Sequence, residues 1–128
     1  MRVLLDTHAL VWALGEPGRL SSRARAAIAD QSTVVFVSLT SAWELVILQS
    51  FDRVRLTVPL ATLFTDGFAA MRFHLLPIRL PHIAGVAELP RHHRDPFDRL
   101  LVATALAERL AVVSADRAFA RYGVTVVW

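Results

Sequence analysis

The 128-residue chain reads as an α/β domain built on a parallel β-sheet. Three observations predict this. Short, continuously apolar runs recur along the chain, as expected of strands buried on both faces. They alternate with longer segments of helical character, the pattern that gives a sheet flanked by helices on both faces. The composition, 55% hydrophobic and 20% charged, supplies apolar material for a sizeable core and excludes a disordered chain. Length points to one domain over residues 1–128.

Each element has a local reason. Residues 3–5 are a buried apolar strand, and a helix follows over 7–14. Ser21 and Ser22 cap a helix that runs to about residue 30. Residues 33–37 are β-branched and aromatic, which predicts a strand. A helix follows over 41–51. Pro59 opens another over 60–73, since proline suits the first helical turn. Residues 75–78 form a short strand and 83–89 a short helix. The clearest helix runs from 97 to 110, with Asp95 as N-cap and Pro96 at the first position. A strand over 111–113, a helix over 117–122 and a strand over 124–127 complete the chain. Pro and Gly punctuate these segments without forming a linker.

The charge balance is 14 basic residues, all Arg, against 11 acidic ones, or +3. The absence of Lys and Asn fits a GC-rich coding bias. The absence of Cys excludes disulfides, thiolate metal sites and a cysteine nucleophile. No apolar stretch reaches the ~18 residues of a membrane-spanning helix. Asp6 and His8 interrupt what would be the apolar core of a secretory signal. A soluble, cytoplasmic protein is expected.

Four acids sit in unusual company. Asp6 directly follows the first strand, and Asp116 lies just past the strand over 111–113. Ligands of open α/β sheets bind at such strand ends. Glu44 is embedded in the apolar helix SAWELVIL, and Asp98 opens the apolar helix DPFDRLLVATALA. Each acid also has an ordinary explanation. Asp6 and Asp116 can cap helices, Asp98 at the third helical position favours the helix dipole, and Glu44 can be an exposed helix residue. Together they are harder to explain, because neighbouring buried carboxylates repel unless a cation or protons compensate. Oxygen ligands of this kind suit Mg²⁺ or Mn²⁺. Thr7 and Ser114 flank two of the acids and can hydrogen-bond a carboxylate. His92 and His93 read as a solvated loop, and their spacing matches no zinc motif. His8, His74 and His82 look isolated. No phosphate-binding glycine loop, dinucleotide fingerprint or nucleophile elbow is present.

The segments VLLDTHALVWAL (3–14), SLTSAWEL (38–45), HRDPFDRLLVATAL (93–106) and VVSADRAFARYGV (112–124) resemble, in order and from end to end, the PIN-domain family and its VapC toxins. The third segment is the most specific. The resemblance implies an acidic pocket that binds Mg²⁺ or Mn²⁺ and hydrolyses RNA, leaving a 5′-phosphate and a 3′-hydroxyl. It assigns the catalytic and metal-holding positions to Asp6, Glu44, Asp98 and Asp116, with Asp95 kept as a helix cap. Two departures stand out. Relatives often carry a Lys shortly after the position of Glu44, where this chain has Val46, Ile47 and Leu48. Ser114 stands where Thr is frequent. Arg94 and Arg99 are candidates for holding flanking phosphates, because guanidinium matches phosphate geometry.

The resemblance also implies partners: an RNA substrate, a cognate antitoxin that docks as a helix in a groove, and a second copy of the chain. The apolar helices over 41–51 and 60–73 exceed what so small a domain can bury, which fits such interfaces. Other readings are a PIN nuclease in RNA processing or decay, a non-catalytic PIN-like interaction module, and a phosphatase with a strand-end Asp nucleophile. The last would need a second Asp at position 8, where this chain has His8.

Overall fold

A computed structural model describes residues 1–128. Five strands form one sheet: β1 (Arg2–Leu5), β2 (Val34–Ser38), β3 (Phe73–Leu76), β4 (Ala111–Val113) and β5 (Val126–Val127). Their order is β3-β2-β1-β4-β5, and every neighbouring pair is parallel. The chain steps outward from β1 to β3, then returns to place β4 on the other side of β1. This reversal creates a switch point at the carboxyl end of β1. There the Asp6 N–H donates to the Val113 carbonyl at 3.1 Å and ties the exit of β1 to β4.

The helices are α1 (Thr7–Gly15), α2 (Ser22–Ala29), α3 (Leu39–Ser50), α4 (Leu60–Thr62), α5 (Phe68–Ala70), α6 (Leu80–Val86) and α7 (Pro96–Glu108). The sheet alternation divides the core in two. Val3 and Leu5 pack with Leu10, Ala24, Leu45 and Phe68. Leu4 between them points the other way, onto Leu101, Val102 and Phe119. No helix is long and apolar enough to cross a membrane.

Several boundaries differ from expectation. The helix expected over 60–73 ends at Ala70, and a π-helical stretch over Leu63–Gly67 joins α4 to α5. In a regular α-helix, residues five apart diverge by about 140°. The wider π turn lets both Leu63 and Phe68 reach the core. Arg72 then adopts a left-handed conformation (φ 60°) and donates to the Gln31 carbonyl at 2.9 Å, so Phe73 starts β3. Proline has no N–H to donate to a ladder, and β3 ends at Leu76, directly before Pro77, where a strand to 78 was expected. The segment over 117–122 is a 3₁₀ helix, and the last strand is only Val126–Val127.

The start of α6 rests on His82, which is 1% exposed. The Arg79 N–H donates to its Nδ1 at 3.1 Å, so the Nε2–H is the donor to Glu108 Oε1 at 2.8 Å. A histidine that looked isolated in the sequence thus ties α6 to the end of α7.

Candidate active site

Asp6 is 5% exposed and caps α1, its Oδ1 accepting from the Ala9 N–H at 2.7 Å. Burial pushes its carboxyl above the ordinary range. Hydrogen bonds from the Ser114 side chain and Ala9, together with the nearby His8, oppose the rise, and the charge of Asp116 adds to it. The fully buried Ser114 also accepts the Asp116 N–H at 2.9 Å. The serine expected to flank an acid therefore serves two.

Glu44 reaches the same region from α3. Thr7 Oγ1 donates to Glu44 Oε1 at 2.5 Å and shares a 3.1 Å bond with the buried Ser41 hydroxyl. The first residue of α1 thereby aims a carboxylate carried by α3. Burial raises the Glu44 carboxyl too, with the charges of Asp95 and Asp6 adding to the effect.

Asp95 caps α7, accepting from the N–H groups of Phe97 at 2.8 Å and Asp98 at 3.4 Å. The Asp98 carboxyl is pushed up to about 6, first by burial and then by Asp95, with Glu44 and Asp6 contributing further and His93 opposing. Asp116 differs. Burial pushes it up, but hydrogen bonds from His93 and the Ala118 N–H, together with the charge of His93, outweigh this and hold it below its usual value.

His93 lies in the expected loop, but it is not solvated. Its side chain is 9% exposed, with Nε2 2.6 Å from Asp116 Oδ2 and Nδ1 2.9 Å from the Tyr122 hydroxyl. His93, Asp98 and Asp116 each bring a ligand-capable atom within 4.8 Å of the others. The sequence signal was its position immediately before RDPFD, which brings it to the start of the helix carrying Asp98. His92 keeps to the side, its N–H donating to the Tyr122 hydroxyl at 3.2 Å.

Arg99 has a different post from the phosphate-holding one expected of it. Its guanidinium donates to the carbonyls of Pro90, Val86 and Leu89 at 2.9, 3.1 and 3.4 Å, closing the end of α6. Arg94 is exposed and forms no ion pair.

No arginine forms an ion pair with Asp6, Glu44, Asp98 or Asp116. Three of the four acids have raised carboxyls and influence one another electrostatically. The carboxylates are hard oxygen donors, they are crowded, and only histidine offsets their charge, so they fit a divalent cation such as Mg²⁺ or Mn²⁺.

Fold and site together define an α/β domain with a cluster of acidic side chains near the switch point of its sheet. The chain belongs to the PIN domain family, whose profile matches residues 3–124. It is 33% identical over 118 residues to Ribonuclease VapC22 of Mycobacterium tuberculosis (strain ATCC 25618 / H37Rv), covering 90% of this chain and 87% of that protein. Its fold is similar to VapBC2 from Rickettsia felis bound to a promoter DNA fragment (TM-score 0.72, 14% identity, 98% of this chain and 97% of that one). It is also similar to FitAcB from Neisseria gonorrhoeae (TM-score 0.65, 22% identity, 97% and 95%).

The raised carboxyls set a stability signature. Asp98 takes up its proton near pH 6 in the folded chain, against an ordinary value of 3.8. A raised acid favours folding most below its unfolded value, and that contribution is lost as pH rises through about 6. The lowered Asp116 acts oppositely, but only below the ordinary value of 3.8. The melting temperature of the protein in EDTA is therefore expected to fall between pH 4.5 and 7. Mn²⁺ should restore it, more at pH 7 than at pH 5. Thermal unfolding at both values checks this, and an equal metal effect at both would contradict it.

Proposed function

We propose that this protein is a divalent-metal-dependent endoribonuclease and the toxin of a toxin–antitoxin pair, acting in the cytoplasm. The observation that carries the reading is the mutual electrostatic influence of Asp6, Glu44, Asp98 and Asp116, none of which is paired with an arginine. The VapC ribonuclease relative supports the same activity.

Asp6, Asp98 and Asp116 would hold Mg²⁺ or Mn²⁺, with Glu44 completing the set. The cation, when bound, polarises a phosphodiester and lowers the pKa of water. The chain's own residues do the rest. Thr7 fixes the Glu44 carboxylate, where it can accept a proton from an attacking water. The buried Ser114 steadies Asp6 and Asp116 together. With the four acids committed to the cation, the chain retains 14 Arg against seven other acids, which suits a polyanion such as RNA.

In an assay with Mg²⁺ or Mn²⁺, single-stranded RNA is cut internally to give 5′-phosphate ends. EDTA and Asp98→Asn each stop the cutting. Expression of the wild type arrests growth, whereas expression of Asp98→Asn does not. Cleavage undiminished in Asp98→Asn would remove the activity, and equal toxicity of the two would remove the toxin role.

Exposed apolar side chains support two protein partners. Leu39, Trp43 and Val46 form an exposed row on α3, and Leu80 and Ile83 form another on α6. The 60–73 segment instead buries Leu63, Phe68 and Phe73, so α6 replaces it as the second apolar surface. We assign the α3 and α6 rows to a homodimer. Trp43→Glu is expected to shift the sedimentation coefficient from dimer to monomer, and an unchanged value would reject this interface. A cleft of about 930 Å³ between α1 and the 52–58 segment, walled in part by Val11, Trp12, Leu48 and Leu56, suits an amphipathic antitoxin helix.

A further inference from the structure

We propose that His93 is a positioning residue for Asp116, itself aimed by Tyr122, and that this brace sets the affinity of the acidic pocket for its divalent cation. The inference rests on the metal-site reading above.

The Asp116 carboxylate can only accept, so the His93 contact needs a hydrogen on Nε2, and in the neutral ring Nδ1 then accepts from Tyr122. The Tyr122 hydroxyl accepts the His92 N–H at 3.2 Å, which leaves its own proton for His93 Nδ1 at 2.9 Å. The Nε2–H donates to Asp116 Oδ2 at 2.6 Å. The ring is held in plane as well, stacked on Tyr122 at 5.5 Å and 13° and tilted against Phe119 at 5.0 Å.

Asp116 needs this help. Its side chain is 47% exposed, and an exposed aspartate samples several rotamers. Oδ1 accepts the Ala118 N–H at 2.9 Å and Oδ2 accepts from His93, so each oxygen keeps a further lone pair for a cation. The brace closes on one short element. Asp116 caps the 3₁₀ helix over Arg117–Tyr122, Tyr122 ends it, and His93 spans the two. His93 arrives on the segment leading into α7, whose Asp98 contributes to the same cluster. One imidazole thus fixes two acid-bearing segments relative to each other. A histidine acting this way orients a ligand through a hydrogen bond without itself being bound.

The test is Mn²⁺ binding in the absence of RNA, by calorimetry on the intact chain. His93→Ala is expected to weaken binding by about tenfold or more. His93→Gln, which places an amide N–H where Nε2–H stood, is expected to restore affinity to within about threefold of wild type. Tyr122→Phe keeps the ring and loses only the hydroxyl; a loss of about threefold is expected, and this variant carries the test if His93→Ala does not fold. In an Asp116→Asn background, His93→Ala should add little further loss. Full affinity in His93→Ala, or in Tyr122→Phe where His93→Ala fails to fold, overturns the proposal. So does His93→Gln as weak as His93→Ala, which would make the imidazole a direct ligand. A wild type that binds Mn²⁺ but cuts no RNA removes the proposed activity and leaves the brace standing. Normal cleavage with unchanged Mn²⁺ affinity in His93→Ala removes the brace alone.

Discussion

Asp6→Asn is expected to lower RNA cleavage by at least about 100-fold, the scale on which removing one preorganised electrostatic group acts, while leaving the metal-free protein no less stable. The two halves have the same origin. Asp6 is 5% exposed, and its charge is costly there unless a cation shares the pocket. Asparagine removes that charge but retains a side-chain oxygen for the Ala9 N–H, and Asn caps a helix about as well as Asp. In EDTA the variant should therefore melt at or above the wild-type temperature. Added Mn²⁺ should stabilise it far less than the wild type. Asp6→Ala is a useful contrast, because losing the cap costs about 1 kcal/mol on top of the lost activity. Cleavage reduced less than tenfold in a folded Asp6→Asn protein would take Asp6 out of the site.

His82→Ala is expected to destabilise the fold by about 2–4 kcal/mol, combining a cavity with the loss of the partner of the partly buried Arg79 N–H. His82 is 1% exposed and both ring nitrogens are engaged. Its removal frees the start of α6 and unties it from Glu108. For a domain of this length the melting temperature should drop by about 10 °C. Glu108→Gln, which keeps an acceptor for Nε2–H, should cost under ~1 kcal/mol. Both variants should still cut RNA at low temperature, because His82 forms no hydrogen bond to any of the four acids. Differential scanning calorimetry with an activity assay at 20 °C separates the two effects. A change in melting temperature of less than about 3 °C for His82→Ala would show that the capping histidine is dispensable.

The parallel sheet was legible because its strands are apolar throughout, and Asp95-Pro96 marked the start of α7 because cap chemistry is local. The four acids could be singled out because a charge beside a buried strand or within an apolar helix needs a reason. What lay hidden depended on the third dimension. Nothing in the order of residues reveals that Thr7 meets Glu44, thirty-seven positions away. The roles of His93 and Arg99 likewise follow from packing. His93 finds Asp116 and Tyr122 only when the segment preceding α7 folds over the 3₁₀ helix, and Arg99 finds the last carbonyls of α6. The π turn of residues 63–67 was masked because a single five-residue step, from Leu63 to Phe68, does not stand out within an otherwise helical run of apolar residues.

The return of β4 across β1 also has a consequence for synthesis. Leu5 pairs with Val113, and the Asp6 N–H bonds to the Val113 carbonyl, so the first strand waits until Val113 has been made before that neighbour is complete. Asp116 leaves the ribosome later still. In a nascent chain three of the acids therefore precede the strand that completes the centre of the sheet, and the fourth follows it.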